Sequence, residues 1–409
     1  MSTSLRQRLS FMLSKRSVIR HHQYPTRSNT YISLAYIFVI SPIALFWAFP
    51  LAIRAAFVGP MRLRVLATEG EFGPLVHLLE VLREKASMGD QCDVVLVLSR
   101  YRHLTLGDIY KNELQTKLLW GGRLSGVVQQ ILLLQPSRLV SVERFEYSLI
   151  HQLPDTPLEV PPRLVALREK TLFELECSAK KLVTFALHTL KYDEERNPQY
   201  LFKEVSIESV GDELASPIDY LRSMNCEVVL LGSPDTGRSE IPREFPRLHQ
   251  FGELGGPHEI ALASGCAYFW SDFAVGAWWT SAPFRRPVLF TNTPRLRIRK
   301  GLLPSMHVVL PAQFQTLGGK TLTLRDVLAS KSHPYKAASR GELHLIRNTS
   351  GAITAAHQEM LARLDGTWVE DRRAERLQAK SREIFLEFTD CQPITFASTF
   401  LLQNEHFLL

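Results

Sequence analysis

The chain has 409 residues, of which 45% are hydrophobic and 22% charged, so collagen-like, low-complexity and wholly disordered classes are excluded. Its formal net charge of +7 would suit a nucleic-acid partner, but nine basic residues and no acidic one precede Glu69. Without those nine, 39 of the 48 basic residues remain, against 41 acidic ones. Because a nucleic-acid binder carries its basic surface on the folded domain, no nucleic acid is expected as a partner.

Residues 1–60 combine this basic N-terminus with an uncharged apolar stretch from Tyr31 to Ile53. The stretch is close to the roughly 20 residues that cross a bilayer core. Pro42 and Pro50 would kink a helix there, and the preceding basic residues favour a cytoplasmic N-terminus. We predict attachment to a membrane through a re-entrant or monotopic helix, with the globular part in the cytoplasm. A spanning helix and a transit peptide stay open as alternatives.

Residues 61–155 alternate between predicted strands and helices. Leu63–Ala67 and Cys92–Leu98 are nearly continuous apolar runs, as in parallel sheets that are covered on both faces. A helix is expected from about Pro74 to Lys85, and the proline-rich stretch 153–163 predicts a linker. These residues therefore predict a first Rossmann-like lobe.

Residues 156–409 begin a second alternation, so the predicted fold class is α/β with two Rossmann-like lobes. A cleft between two such lobes is the usual place for a small-molecule site. The expected elements at the start of this lobe are a helix over 164–176, a strand Leu182–Leu187, a helix over 206–224 with a bend at Pro217, a strand Glu227–Leu231, a short strand Arg247–Phe251 and a helix Pro257–Ser264.

The segment Leu262–Pro294 predicts a strand, a capped helix and a second strand with tight connections. Ligands of such units bind beyond the carboxyl ends of the strands, where helix N-termini offer free N–H groups to phosphate. The segment therefore indicates a phosphate-bearing small molecule. Its expected parts are the strand Ala267–Trp270, an N-cap at Ser271 and Asp272, the short helix Phe273–Ser281 and the strand Val288–Phe290.

Five pieces of the chain carry a family resemblance through their order. They are 184–192 (TFALHTLKY), 218–235 (IDYLRSMNCEVVLLGSPD), 262–294, 318–328 (GGKTLTLRDVL) and 346–366 (IRNTSGAITAAHQEMLARLDG). In this order they resemble bacterial surface-carbohydrate glycosyltransferases of GT-B-like architecture, whose C-terminal lobe is fucosyltransferase-like. The resemblance implies a glycosyltransferase, which residues 1–60 would attach to a membrane. Its lobe 156–409 would bind a nucleotide-sugar donor, and its lobe 61–155 would present a lipid-linked or polysaccharide acceptor.

Candidate site residues follow from these positions. His188 and Glu69 come just after predicted strands and are candidate bases for the acceptor hydroxyl. No Asp-x-Asp motif occurs, so we expect no metal and no cofactor besides the donor as substrate. Ordinary turns, caps and solvated loops stay open as alternative interpretations of every candidate. The expected donor-binding residues are Lys191, Gly232, Ser233, Ser271, Asp272, Gly276, Asn292, Thr293 and Lys300.

Two departures from the family pattern keep a second hypothesis open. Thr189 and Leu190 stand where related enzymes place an Arg that meets the donor phosphates, and Val275 stands where they have a Ser. The rival hypothesis is a degenerate, non-catalytic relative that serves as a membrane-anchored assembly or regulatory component. A different nucleotide-using α/β enzyme is disfavoured, because G-x-G-x-x-G and G-x-x-x-x-G-K-[ST] are absent.

Overall fold

A computed structural model provides the structure of the chain. It describes residues 63–67, 76, 79–80, 83, 93–98, 109–110, 116–120, 140–141, 156–177, 181–187, 207–231, 249–251, 256–273, 276–298, 303–330, 334–388 and 391–409. The predicted membrane segment lies outside these residues. Among the helices in the described part, none is long and apolar enough to cross a membrane. The chain divides into two compact units, residues 1–149 and 150–409.

The N-terminal unit contains a four-stranded sheet in the order β3-β2-β1-β4, and all of its strand pairs are parallel. The predicted strands at Leu63 and Asp93 are confirmed. Val76, Leu79, Glu80 and Arg83 are helical, as the predicted helix over 74–85 requires. The strands are β1 Leu63–Ala67, β2 Asp93–Leu98, β3 Thr116–Trp120 and β4 Val140–Ser141.

The C-terminal unit is built on a six-stranded parallel sheet in the order β10-β9-β8-β5-β6-β7. The chain adds strands to one side of β5 and then, from β8 onwards, to its other side. The order therefore reverses between β5 and β8, as in Rossmann folds, and the α/β class is confirmed. The strands are β5 Lys181–Leu187, β6 Cys226–Leu231, β7 His249–Phe251, β8 Tyr268–Asp272, β9 Val288–Thr293 and β10 His307–Pro311.

Helices and a small two-stranded sheet complete the C-terminal unit. This sheet is a separate antiparallel pair, β11 Gln313–Thr316 and β12 Leu343–Ile346. Helix α1 packs against α3, and α6 packs against α2. The α-helices are α1 Pro162–Glu174, α2 Ile207–Ser223, α3 Pro257–Ser264, α4 Leu324–Ala329, α5 Pro334–Ser339, α6 Ser350–Leu364, α7 Arg372–Leu386 and α8 Ser398–Gln403.

The core of this unit lies on the central strands. All five residues of β8 are buried, and the Trp270 ring stacks on Phe185 of β5 with ring centroids 3.9 Å apart. Burying one large apolar side chain contributes about 1.5–3 kcal/mol. A run such as Tyr268–Trp270 therefore fixes β8 inside the sheet, and it also positions the polar residues that follow.

Local caps set where the later helices begin. The Thr323 hydroxyl accepts a hydrogen bond from the Asp326 N–H at the start of α4, and Asp326 bonds back to form a capping box. Helix α6 begins after Thr349, whose hydroxyl accepts from the Ala352 N–H. Helix α7 begins after Asp371 in the same manner.

Candidate functional site

The carboxyl ends of β5 and β8 meet where the strand order reverses. Leu187 of β5 lies beside Asp272 of β8, and Asp272 lies beside Thr291 of β9. In open α/β sheets, ligands bind beyond the carboxyl ends of the strands at such a reversal. Asp272, a predicted donor-binding residue, therefore stands at the position that the fold favours for a ligand.

The predicted N-cap at Ser271 and Asp272 is wrong. Both residues belong to β8 and are buried. The helix that follows is a five-residue 3₁₀ turn from Gly276 to Thr280 instead of an α-helix starting at Phe273. Both oxygens of the Asp272 carboxylate accept hydrogen bonds from side chains inside the protein. Phosphate binding at the start of this 3₁₀ turn stays a prediction.

Asp272 forms the centre of a buried polar network. Its Oδ1 accepts hydrogen bonds from Thr291 Oγ1 at 2.8 Å and from Asn292 Nδ2 at 2.9 Å. Its Oδ2 accepts from Arg347 Nη2 at 2.9 Å. Arg347 also donates through Nε to Glu213 Oε2 of α2 at 2.8 Å. We call Glu213, Asp272, Thr291, Asn292, Arg347 and Asn348 the Asp272 cluster.

Asn348 attaches the start of α6 to the sheet. The Asn292 Oδ1 accepts from both the backbone N–H and Nδ2 of Asn348, at 2.7 and 3.0 Å. The same Nδ2 also donates to the Pro311 carbonyl of β10 at 2.8 Å. The cluster thus joins β8, β9, β10, α2 and the loop before α6 at one end of the sheet.

The electrostatics of the cluster follow from burial. Arg347 is 10% exposed, Asp272 1% and Glu213 25%. Burial lowers the pKa of the Arg347 guanidinium, but the Asp272 and Glu213 carboxylates outweigh burial and bring that pKa above its ordinary value. Arg347 therefore stays cationic, and with two carboxylates against one guanidinium the cluster has a formal charge of −1.

Two buried residues, one in the cluster and one next to it, have a left-handed backbone. Phe273 has φ 62° and Asn292 has φ 51°, at the carboxyl ends of the neighbouring strands β8 and β9. The Phe273 N–H donates to the Thr291 carbonyl at 2.8 Å, which holds the two strand ends together. Such conformations are unfavourable for residues other than glycine and concentrate at functional sites. Their pairing here favours a ligand site at this edge.

The other predicted site residues divide into two groups. Ser271 and Thr293 are buried at the ends of β8 and β9, and Gly276 opens the 3₁₀ turn. Their roles in binding stay predictions. Six predicted residues lie outside the described part of the chain, and their places in the site also stay predictions: Glu69, His188, Lys191, Gly232, Ser233 and Lys300.

Sequence reasoning missed four members of the cluster: Glu213, Thr291, Arg347 and Asn348. Arg347 and Asn348 fall within the piece 346–366 that carries part of the resemblance, so its order along the chain was the available signal. Glu213 gave no signal, because a glutamate on the polar side of an amphipathic helix normally faces water. In the residues that the structure describes, no three His, Cys, Asp or Glu side chains are grouped so that they could hold a metal ion.

Comparisons with known proteins give remote similarities only. No protein-family model matches the chain, and neither does any curated protein. Among solved structures, a glycosyl transferase of family 9 from Veillonella parvula DSM 2008 is similar at 10% identity. The match covers 61% of this chain and 86% of that one, with a TM-score of 0.40.

Two heptosyltransferases are similar at the same level. The dodecameric iron-containing heptosyltransferase TibC, in complex with ADP-D-beta-D-heptose, is 12% identical, with 75% and 77% of the two chains covered and a TM-score of 0.36. The E. coli heptosyltransferase WaaC with ADP is 13% identical, with 62% and 93% covered and a TM-score of 0.32. Because these TM-scores are below 0.5, any functional conclusion has to rest on the site of this chain.

The left-handed conformation of Asn292 gives a first testable prediction. Asn292→Ala should lower the free energy of unfolding by about 2–4 kcal/mol, since it removes buried hydrogen bonds and leaves alanine at φ 51°. Asn292→Gly should cost about 1 kcal/mol less than Asn292→Ala, because glycine adopts this φ without strain. Urea unfolding followed by tryptophan fluorescence measures both values.

The neighbouring strand residue Thr291 serves as the control for backbone strain. Its φ is not positive, so Thr291→Gly should be less stable than Thr291→Ala. The strain argument is wrong if glycine is also the worse residue at position 292.

Proposed function

We propose that the chain is a glycosyltransferase that moves a sugar from a nucleotide-sugar donor to a lipid-linked or polysaccharide acceptor at a membrane. The donor would bind to the C-terminal unit, beyond the carboxyl ends of β5, β8 and β9. The attachment to the membrane through residues 1–60 and a cytoplasmic globular part belong to the same proposal.

The observation that carries this proposal is the position of Asp272. A buried carboxylate stands at the strand-order reversal of a Rossmann-type sheet, at the end of one of two neighbouring strands that each have a left-handed residue there. Rossmann-type sheets bind nucleotides at this point. Among nucleotide ligands, nucleotide sugars are favoured by the five pieces of sequence that resemble surface-carbohydrate transferases.

The proposed roles follow from chemistry. Asp272 and Asn292, which are buried, would position the strand ends that meet the donor, and Lys191 or Lys300 would neutralise its phosphates. His188 or Glu69 would accept the proton of the acceptor hydroxyl. Stabilising the departing diphosphate would be the main catalytic task, which preorganised donors and cations perform without a metal.

A non-catalytic relative is the second candidate. Asp272 and Arg347 neutralise each other inside the protein, and Thr189 and Leu190 stand where the family has an Arg. Such a protein would bind the nucleotide sugar and leave it intact. Release of free nucleoside diphosphate from the bound donor, in the presence of lipid-linked acceptors, separates the two candidates.

Ligand-dependent stability tests the proposal. The full chain would be heated with UDP, GDP and ADP and with UDP-glucose, GDP-mannose and ADP-glucose. A ligand at about 100 times its dissociation constant adds about 2.7 kcal/mol of stability and raises the melting temperature measurably. At least one nucleotide sugar is expected to do so, and Asp272→Asn should weaken its binding by tenfold or more.

Asp365→Asn is the matched control variant. Asp365 pairs with Lys181 at 2.7 Å in an exposed ion pair away from the cluster, so this variant should bind the nucleotide sugar as the unmodified chain does. If a folded sample of the unmodified chain is stabilised by none of the six compounds, the proposed function is wrong.

A further inference from the structure

Two central acceptor groups of the Asp272 cluster are occupied, whereas one of its buried donor groups is not. Both oxygens of Asp272 and the side-chain oxygen of Asn292 accept hydrogen bonds from within the protein. In contrast, Arg347 Nη1 is buried and has no hydrogen-bond partner among the residues that the structure describes. The Ser350 Oγ, three residues further on in the first turn of α6, is also buried, and no described residue bonds to it.

Such groups are unusual inside a protein. A buried donor without a partner costs about 1–3 kcal/mol, and Arg347 is nine-tenths buried with its other two donor groups fixed by carboxylates. The group missing from this site is therefore a hydrogen-bond acceptor. An oxygen atom of a bound ligand would satisfy Nη1 and the Ser350 hydroxyl without disturbing any existing bond.

Charge decides which kind of oxygen fits. Glu213, Asp272 and Arg347 together carry a formal charge of −1, which opposes a phosphate group. The same charge favours a neutral hydroxyl. It also favours the positive charge that develops on a sugar ring when the bond at its anomeric carbon breaks. The sugar that is transferred has neutral hydroxyl groups and develops positive charge during the reaction, whereas the diphosphate has neither feature.

We propose that Arg347 and Ser350 bind a hydroxyl oxygen of the sugar that is transferred, an inference that rests on the proposed function. Arg347 donates to this oxygen through Nη1 while its Nη2 and Nε stay on Asp272 and Glu213. Arg347 is thereby the residue that lets the site distinguish a nucleotide sugar from the free nucleoside diphosphate. The phosphates bind elsewhere in the site.

Paired binding measurements test this assignment. The affinity of a nucleotide sugar and that of its nucleoside diphosphate would be measured by calorimetry, with whichever of UDP-glucose and UDP, GDP-mannose and GDP, or ADP-glucose and ADP binds the unmodified chain. Arg347→Lys keeps the positive charge but removes the Nη1 donor group. It should weaken nucleotide-sugar binding about tenfold or more and change nucleoside diphosphate binding less than about twofold.

Ser350→Ala supplies a second variant that does not disturb the ion pairs. It should weaken nucleotide-sugar binding severalfold and leave nucleoside diphosphate binding unchanged. Two variants serve as matched controls. Arg363→Lys changes an arginine that Glu359 and Glu370 hold near the other end of α6, and Ser223→Ala changes an exposed serine at the end of α2. Neither should alter the ratio of the two affinities.

The outcomes separate the inference from the function on which it rests. Selective loss of nucleotide-sugar binding in Arg347→Lys, or in Ser350→Ala if the first variant does not fold, supports the assignment. Equal loss for both ligands, or no loss in either variant, overturns it and leaves the proposed function standing. If the unmodified chain binds no nucleotide sugar, the proposed function fails and the assignment fails with it.

Discussion

Replacement of Asp272 by alanine is expected to lower the free energy of unfolding of the C-terminal unit by about 3–5 kcal/mol. The substitution removes one of the two carboxylates that hold Arg347, and a buried charge that loses its partner is strongly destabilising. Thr291 and Asn292 lose an acceptor at the same time. Urea unfolding at neutral pH, followed by tryptophan fluorescence, measures the loss.

Asp365→Ala provides the comparison, because it makes the same chemical change in an exposed ion pair. Lys181 and Asp365 are 37% and 48% exposed, so breaking their pair should cost at most about 1 kcal/mol. If Asp272→Ala is no more destabilising than Asp365→Ala, the cluster does not hold the strand ends as we describe.

The stability of the protein should depend on pH through His357 of α6. This ring is fully buried, its Nδ1 lies 2.7 Å from the Tyr268 hydroxyl, and burial lowers its pKa to about 3. An unfolded histidine has a pKa of about 6.5. Below pH 6.5, His357 is therefore protonated in the unfolded chain but stays neutral in the folded chain. The free energy of unfolding falls as the pH is lowered towards 3.

His357→Phe should remove this contribution. Between pH 6 and 4 its free energy of unfolding should fall less steeply than that of the unmodified chain, by up to about 1.4 kcal/mol per pH unit. At neutral pH the variant is less stable than the unmodified chain, because it lacks the hydrogen bond to Tyr268. Since its free energy of unfolding then falls less steeply, the two curves should approach each other as the pH is lowered. Urea titrations at several pH values give both curves.

His344→Phe is the control for the pH experiment. His344 lies exposed on β12, so its loss should leave the slope unchanged. Burial also lowers the pKa of His307, but this residue is present in every variant and cancels in the difference. Parallel curves for His357→Phe and the unmodified chain would contradict the account.

Much of the C-terminal sheet could be predicted because its strands are buried on both faces. Runs such as Val228–Leu231 and Tyr268–Trp270 show this burial as unbroken apolar sequence. Helix α3 begins and ends where Pro257 and Gly265 indicate. Helix α7 was missed although Asp371 offers an N-cap and its apolar residues recur at helical spacing.

The arrangement of the site could not be predicted in the same way. An aspartate after an apolar run has the local signature of an N-cap, and only the folded chain brings Arg347 to Asp272 across 75 residues. The pair of Arg347 with Glu213 spans 134 residues. Spacing along the chain contains no information about such contacts, because they depend on how helices α2 and α6 pack on the sheet.

Helix α6 is fastened at both ends. Just before its first turn, Asn348 holds it to Asn292 and β10. Near its last turn, the Glu359 carboxylate accepts the Ser398 N–H at 2.7 Å, and Arg363 binds Glu359 and Glu370. Fifteen residues at 1.5 Å each make this helix about 22 Å long. The end of β9 and the segment that begins at Ser398 are therefore held near opposite ends of one helix.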